Sequence, residues 1–199
     1  MTNELSNFGD NALMTMQANA KIPEGMGIEG WYHVVCRDAQ GNVKWEDEIP
    51  NLVVAVGKQL MLDTLLKGSS YSVTGPYLGL ISNTFTASAS DTMGSHTWTE
   101  FTNYTVGGSA VRGTAVFASS TSTGSTPSNV TSSTATAITY TITGAGGTVY
   151  GCFLVLGTGA VNTQSSTAGV LYSEGLFSTA KTTTAGDTVS VTYSTTATS

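Results

Sequence analysis

Apolar and polar side chains alternate along most of this chain with a period of two, the repeat of a half-buried strand. Trp31, His33 and Val35 alternate with Tyr32, Val34 and Cys36, which predicts a strand. Asp38-Ala39-Gln40-Gly41-Asn42 predicts a turn, because Asp starts one and Gly accepts a positive φ. Residues 43–48 then return as the second strand of a hairpin, bringing Trp31 and Trp45 together before Pro50 ends it. One stretch changes period. Leu60, Met61, Thr64, Leu65 and Leu66 recur at helical spacing, so residues 57–67 predict a helix with Gly68 as its stop.

Strands follow at 77–81, 111–117, 137–143, 148–156, 170–172, 176–177 and 187–193. In 111–117, Val111, Gly113, Ala115 and Phe117 alternate against Arg112, Thr114 and Val116. Residues 148–156 are nearly all apolar and predict burial on both faces. Gly144-Ala145-Gly146-Gly147 reads as the turn before them. Residues 118–136 are almost all Ser and Thr and predict a long surface loop. Eight or nine short strands and one helix predict an all-β fold, a jelly-roll-like sandwich over residues 28–199. Residues 1–27 predict an extended N-terminal arm, whose apolar Leu13, Met14, Met16 and Ile22 are candidates for an interface.

Composition sharpens this picture. Of the 199 residues only 10% are charged, while Ser and Thr together number 57. The formal charge is -6, which argues against recognition of nucleic acid through phosphates. No apolar run is long enough for a membrane span. Residues 101–199 hold just four charged side chains, Arg112, Glu174, Lys181 and Asp187. Such a chain suits an exterior or multimeric structural protein better than a cytosolic monomer. The N-terminus shows neither a basic start nor an unbroken apolar core, so synthesis in a cytoplasm is expected. Cys36 and Cys152 each sit in an apolar stretch and are read as small core residues, with a single bridge left open.

Candidate chemistry is sparse. His33 lies mid-strand and His96 in a polar loop, and no Gly-x-Ser-x-Gly elbow accompanies them. Metal-ligand spacings and a phosphate-binding glycine loop are both missing from the sequence. Glu46-Asp47-Glu48 lie on a strand, so their side chains alternate faces and cannot converge on one ion. The expectation is a protein without cofactor, metal or catalytic residues.

Residues 29–112 resemble a family of tailed-bacteriophage structural proteins. The resemblance rests on the aromatic strand at 31–36, the Asp-x-x-Gly-Asn turn and Trp45 before Asn51-Leu52-Val53-Val54. It rests further on Tyr77-Leu78-Gly79-Leu80-Ile81 and above all on Asp91-Thr92-Met93-Gly94-Ser95-His96-Thr97-Trp98-Thr99-Glu100. Residues 137–193 fit more loosely. In that last motif the resemblance implies structural work: Asp91 and Thr92 set a turn through side-chain bonds to the backbone, and His96 and Trp98 pin the loop to the sandwich.

The function expected from the resemblance is capsid decoration, or cement. Such a protein sits on the virion exterior as a homo-oligomer, here a trimer, bound to the major capsid protein with its arm over neighbouring subunits. The alternative is a tail- or head-fibre receptor-binding protein. Neither nucleic acid nor membrane is expected as a partner.

Overall fold

The computed structural model describes residues 27–67, 74–117, 129–131 and 137–198. Leu13, Met14, Met16 and Ile22 lie outside them, as does most of the predicted loop at 118–136. The chain forms an all-β sandwich with one short helix.

The hairpin forms where the pattern predicts it. β1 (Gly27–Arg37) pairs antiparallel with β2 (Val43–Pro50). Asp38 Oδ1 accepts the backbone N–H of Gln40 at 2.9 Å and of Asn42 at 2.8 Å, and Gly41 takes φ 88°. The predicted meeting of Trp31 and Trp45 does not occur. Trp31 pairs with Pro50 and Trp45 with Cys36, so the two indoles are far apart along the hairpin and on opposite faces.

β1 also pairs along its whole length with β12 (Thr188–Thr198). Sheet A runs β2-β1-β12-β9-β6, with β9 at Ile138–Ile142 and β6 at Tyr104–Thr105. β8 (Asn129–Thr131) adds to the far half of β12, so these three residues are strand rather than loop. Sheet B runs β3-β11-β10-β4-β5. Its strands are β3 (Leu52–Val53), β4 (Tyr77–Ile81), β5 (Glu100–Phe101), β10 (Gly147–Leu156) and β11 (Val170–Thr183). The two segments read at 170–172 and 176–177 are thus one long strand. β7 (Gly113–Thr114) pairs with β4. It is all that forms of the strand expected at 111–117, because Arg112 turns into the interior instead of alternating outward.

Tyr32, Val34, Cys36, Tyr140, Val189, Val191 and Tyr193 of sheet A pack on Leu78, Leu80, Cys152, Leu154 and Tyr172 of sheet B. Buried tyrosines must bond their hydroxyls, and here two of these bonds cross between the sheets. Tyr32 Oη lies 2.6 Å from Ser173 Oγ, and Tyr140 Oη donates to the Leu78 carbonyl at 2.7 Å. Cys36 and Cys152 are buried and free. Burial pushes the Cys36 thiol up to about 11 and the Cys152 thiol higher still, so both stay protonated and inert.

Sheet B is covered on its outer face as well. Ile81, Phe153, Val155 and Leu171 meet Phe85, Met93 and Trp98 from the segment between β4 and β5. That second layer is why β10 reads as a continuous apolar run.

The helix α1 (Ala55–Leu66) starts two residues before the predicted position. Gly57 lies against the Tyr172 carbonyl, Leu60 is buried, and the Tyr172 hydroxyl donates to Met61 Sδ at 3.3 Å. The predicted stripe is not buried as a whole: Leu65 and Leu66 are 70% and 77% exposed, and Thr64 is also exposed. Only the first half of α1 rests on β11, so the helical repeat correctly located the helix but overstated its contact. Among the described residues no helix is long and apolar enough to cross a membrane.

Candidate functional site

The segment joining β4 to β5 carries the Asp91–Glu100 motif. Thr92 and Ser95 exchange backbone hydrogen bonds of 2.9 and 3.1 Å, closing a tight turn that drives Met93 inward. The bonds Thr92 makes at this turn are thus backbone ones and not the side-chain bonds expected of it. Asp91 acts through its side chain, with Oδ2 accepting the Ser88 N–H at 3.3 Å. Beyond the turn, the His96 ring stacks on Trp98 at a centroid distance of 3.6 Å and 10° between planes. Trp98 in turn packs on Phe153 at 4.5 Å. The four motif residues singled out in the sequence are thus brought together, two by the turn and two by stacking.

Trp98 Nε1 donates to Glu174 Oε2 at 2.7 Å, and the Ser88 N–H donates to Glu174 Oε1 at 3.2 Å. Glu174 is fully buried, on β11. Burial raises its carboxyl to about 7; the Trp98 N–H opposes this and the neighbouring Asp91 carboxyl adds to it. The two carboxyls share the Ser88 N–H as donor, to Asp91 Oδ2 at 3.3 Å and to Glu174 Oε1 at 3.2 Å, which places a second acid beside buried Glu174.

A buried ion pair lies next to this. Arg112 grips Glu100 through Nε at 3.0 Å and Nη2 at 2.7 Å. Glu100 Oε2 also accepts the Ser165 N–H at 2.7 Å, and Arg112 Nη2 donates to the Ser166 carbonyl at 2.7 Å. These bonds satisfy most of the charge and tie the 157–169 loop to the motif.

Between the two loops is a half-open cavity of about 170 Å³, lined by Met93, His96, Trp98, Thr99, Glu100, Arg112, Ser165, Ser166 and Thr167. Met93, Trp98, Glu100 and Arg112 form its buried floor, while Thr99, Ser165 and Thr167 are exposed at its rim. Burial lowers the His96 pKa below its usual value, although the Trp98 backbone offsets part of this. The ring is therefore neutral at physiological pH. Among the described residues no group of three or more His, Cys, Asp or Glu is placed to hold a metal ion.

Sequence reasoning missed Glu100, Arg112, Glu174 and Ser165 as parts of this site. One usable clue existed. Arg112 and Glu174 are two of the four charges in residues 101–199, and Glu174 sits in the apolar run Leu171-Tyr172-Ser173-Glu174-Gly175-Leu176-Phe177. A lone charge in such a run has to find a buried partner. No protein-family model, curated protein or solved structure matches the chain.

Proposed function

We propose that this chain is a structural protein of a tailed-bacteriophage virion, a capsid decoration protein that seats on the outer shell and braces it across capsomer seams. The observation that carries this reading is the disposition of charge. Each of the four charged residues of 101–199 is bonded to a group from the first half of the chain. Arg112 holds Glu100, Glu174 holds Trp98, Asp187 meets Lys44 at 2.6 Å and Lys181 meets Asp47 at 2.8 Å. The charges tie loops and strands together inside the molecule.

The outer face of sheet A presents Ser190, Thr192 and Ser194 of β12 and Thr139 and Thr141 of β9, beside Trp31, His33 and Val35 of β1 and the exposed Glu46 and Glu48 of β2. The hydroxyl-rich half of this face, on β12 and β9, can lie against a protein shell without stripping water from ions, since the charges of the face gather at its β1–β2 edge. In this reading the protein is not an enzyme, its partners are the major capsid protein and further copies of itself in a trimer, and residues 1–27 reach over neighbouring subunits.

A second reading, a tail- or head-fibre receptor-binding protein, is favoured by the cavity between the motif and the 157–169 loop. Copy number separates the two. Quantitative mass spectrometry of purified virions should give a ratio to the major capsid protein near one, and removal of residues 1–27 should weaken shell binding. A ratio of a few hundredths would overturn decoration in favour of a fibre or tail part.

A further inference from the structure

The described residues of the sandwich leave the second half of α1 uncovered. Six large apolar side chains are exposed among those residues, and Leu62, Leu65 and Leu66 are three of them, at 48%, 70% and 77% exposure. Apolar residues scattered singly over a surface need no explanation, but three on two successive turns form a patch. The helix also has little support of its own. Val54 at its N-cap makes no side-chain cap bond, and its buried residues, Gly57 and Leu60, lie in the first half. A helix of 12 residues is marginal in water and depends on packing, so the turns beyond Met61 call for a cover.

The place where β1 begins points to the cover. β1 starts at Gly27, and a Cβ at Gly30 would meet the Tyr193 hydroxyl and Asn51 Oδ1. The Tyr193 ring is 6.5 Å from that of Tyr172, whose hydroxyl donates to Met61 Sδ. Residues 1–26 therefore join the fold at the end of the sandwich that carries α1. Eleven positions separate Met16 from Gly27. They span up to about 36 Å of chain, against about 18 Å for the whole of α1. Of the segments outside the described residues, 1–26 is the one rich in large apolar side chains, with Leu13, Met14, Met16 and Ile22 among them. Residues 68–73 hold only Tyr71 and Val73, while 118–128 and 132–136 hold none. Unbranched Met side chains adapt well to an irregular leucine surface. Charge agrees: the arm has Glu4, Asp10 and Glu24 against Lys21, and the helix has Lys58 and Lys67 against Asp63. Area argues against a second sandwich on this face. Three leucines offer on the order of 300 Å², against roughly 800 Å² per partner in a stable pairing. A tethered segment needs less, because its tether supplies an effective concentration of about a millimolar. We propose that residues 13–16 fold back onto the Leu62, Leu65 and Leu66 face of α1 in the same chain. The inference concerns the chain in solution and does not rest on the decoration reading. On a shell, an arm reaching a neighbouring subunit would first have to leave its own helix.

Paramagnetic relaxation in the full-length chain tests it. Cys36 and Cys152 are buried, so a nitroxide can be attached to a single introduced thiol. Lys67→Cys places it at the exposed end of α1, and Gln40→Cys places it in the turn at the opposite end of the sandwich. In protein carrying ¹³C-methyl methionine, the Met14 and Met16 signals should be lost with the nitroxide at position 67 and kept with it at position 40. Adding Leu65→Gln and Leu66→Gln should restore both signals, with a cooperative melting transition showing that the sandwich is still folded. An equal mixture of ¹³C-labelled chain without nitroxide and unlabelled chain with nitroxide at position 67 should show no loss. Signals that persist with the nitroxide at position 67 would overturn the proposal. So would a loss that survives the two glutamine substitutions, or an equal loss from position 40. Loss in the mixture would overturn it in favour of the arm of a second copy.

Discussion

The indole N–H of Trp98 lies 2.7 Å from Glu174 Oε2, and this bond joins the 82–99 segment to the middle of β11. The acceptor is an acid at zero exposure next to a second acid, Asp91. The link that holds the outer layer of the sandwich therefore depends on protonation.

The direction of that dependence follows from Glu174. Its carboxyl is raised in the fold from 4.5 to about 7, so the folded chain binds this proton more tightly than the unfolded one. The associated stability is complete below about pH 4.5 and is lost as pH rises through about 7. Glu174→Gln keeps an acceptor for Trp98 and cannot ionise. Urea unfolding at pH 5 and pH 8 should show the wild type losing roughly 2 kcal/mol more than the variant between the two conditions. Equal losses would sever the link between Glu174 and the pH response.

Trp98 should be the residue of the motif on which stability depends most. It is 4% exposed and lies between His96 and Phe153. Trp98→Ala should cost about 3–5 kcal/mol through the cavity it leaves. Trp98→Phe should cost less, about 1–3 kcal/mol, because it keeps a ring but takes the N–H from Glu174. Thermal melting of the two variants tests the order. An unchanged melting temperature in Trp98→Ala would mean that the indole serves an interface rather than the fold.

The sheets were legible from the chain to the extent that burial was one-sided. β1, β9 and β12 show strict alternation because one face meets the core and the other meets solvent. Residues 111–117 also alternate, yet only Gly113–Thr114 forms a strand, with Val111 left in an isolated bridge to Thr163, because a pattern of side chains carries no information about the buried acid waiting for Arg112. The motif was visible as a cluster containing His96 and Trp98. Its partners Glu174, Arg112 and Ser165 come from segments 12 to 83 positions away from residues 91, 98 and 100, brought together only by sheet topology. In α1 the periodicity gave the helix but not its seating, since Gly57, which has no side chain to enter the apolar pattern, is where the helix touches β11.

The Arg112–Glu100 pair predicts a strong asymmetry between single and double variants. Both side chains are essentially buried, at 1% and 4% exposure. Arg112→Leu leaves Glu100 charged in the interior and should cost about 3–5 kcal/mol. Adding Glu100→Gln removes that stranded charge while leaving an acceptor for the Ser165 N–H, so the double variant should recover part of the loss. A double variant as unstable as the sum of the singles would mean the two groups act independently.

Asp187 should respond to acid in the opposite sense from Glu174. Burial pushes its carboxyl up, but the Lys44 ammonium at 2.6 Å and the Thr184 N–H at 2.8 Å outweigh this and hold it below its ordinary value. A depressed carboxyl stabilises the fold above its unfolded pKa, and that stability disappears as pH falls through the folded value. Asp187→Asn should therefore cost about 1–3 kcal/mol at pH 7, the worth of charge-assisted bonds to a buried acceptor, and the difference from wild type should shrink on acidification. Lys44→Ala should cost less, because the Thr184 bond survives and Lys44 is partly in solvent. Denaturation of the three proteins at pH 7 and at pH 3 tests this. A penalty for Asp187→Asn that is as large at pH 3 as at pH 7 would show that shape, and not charge, makes the carboxylate important to the end of β12.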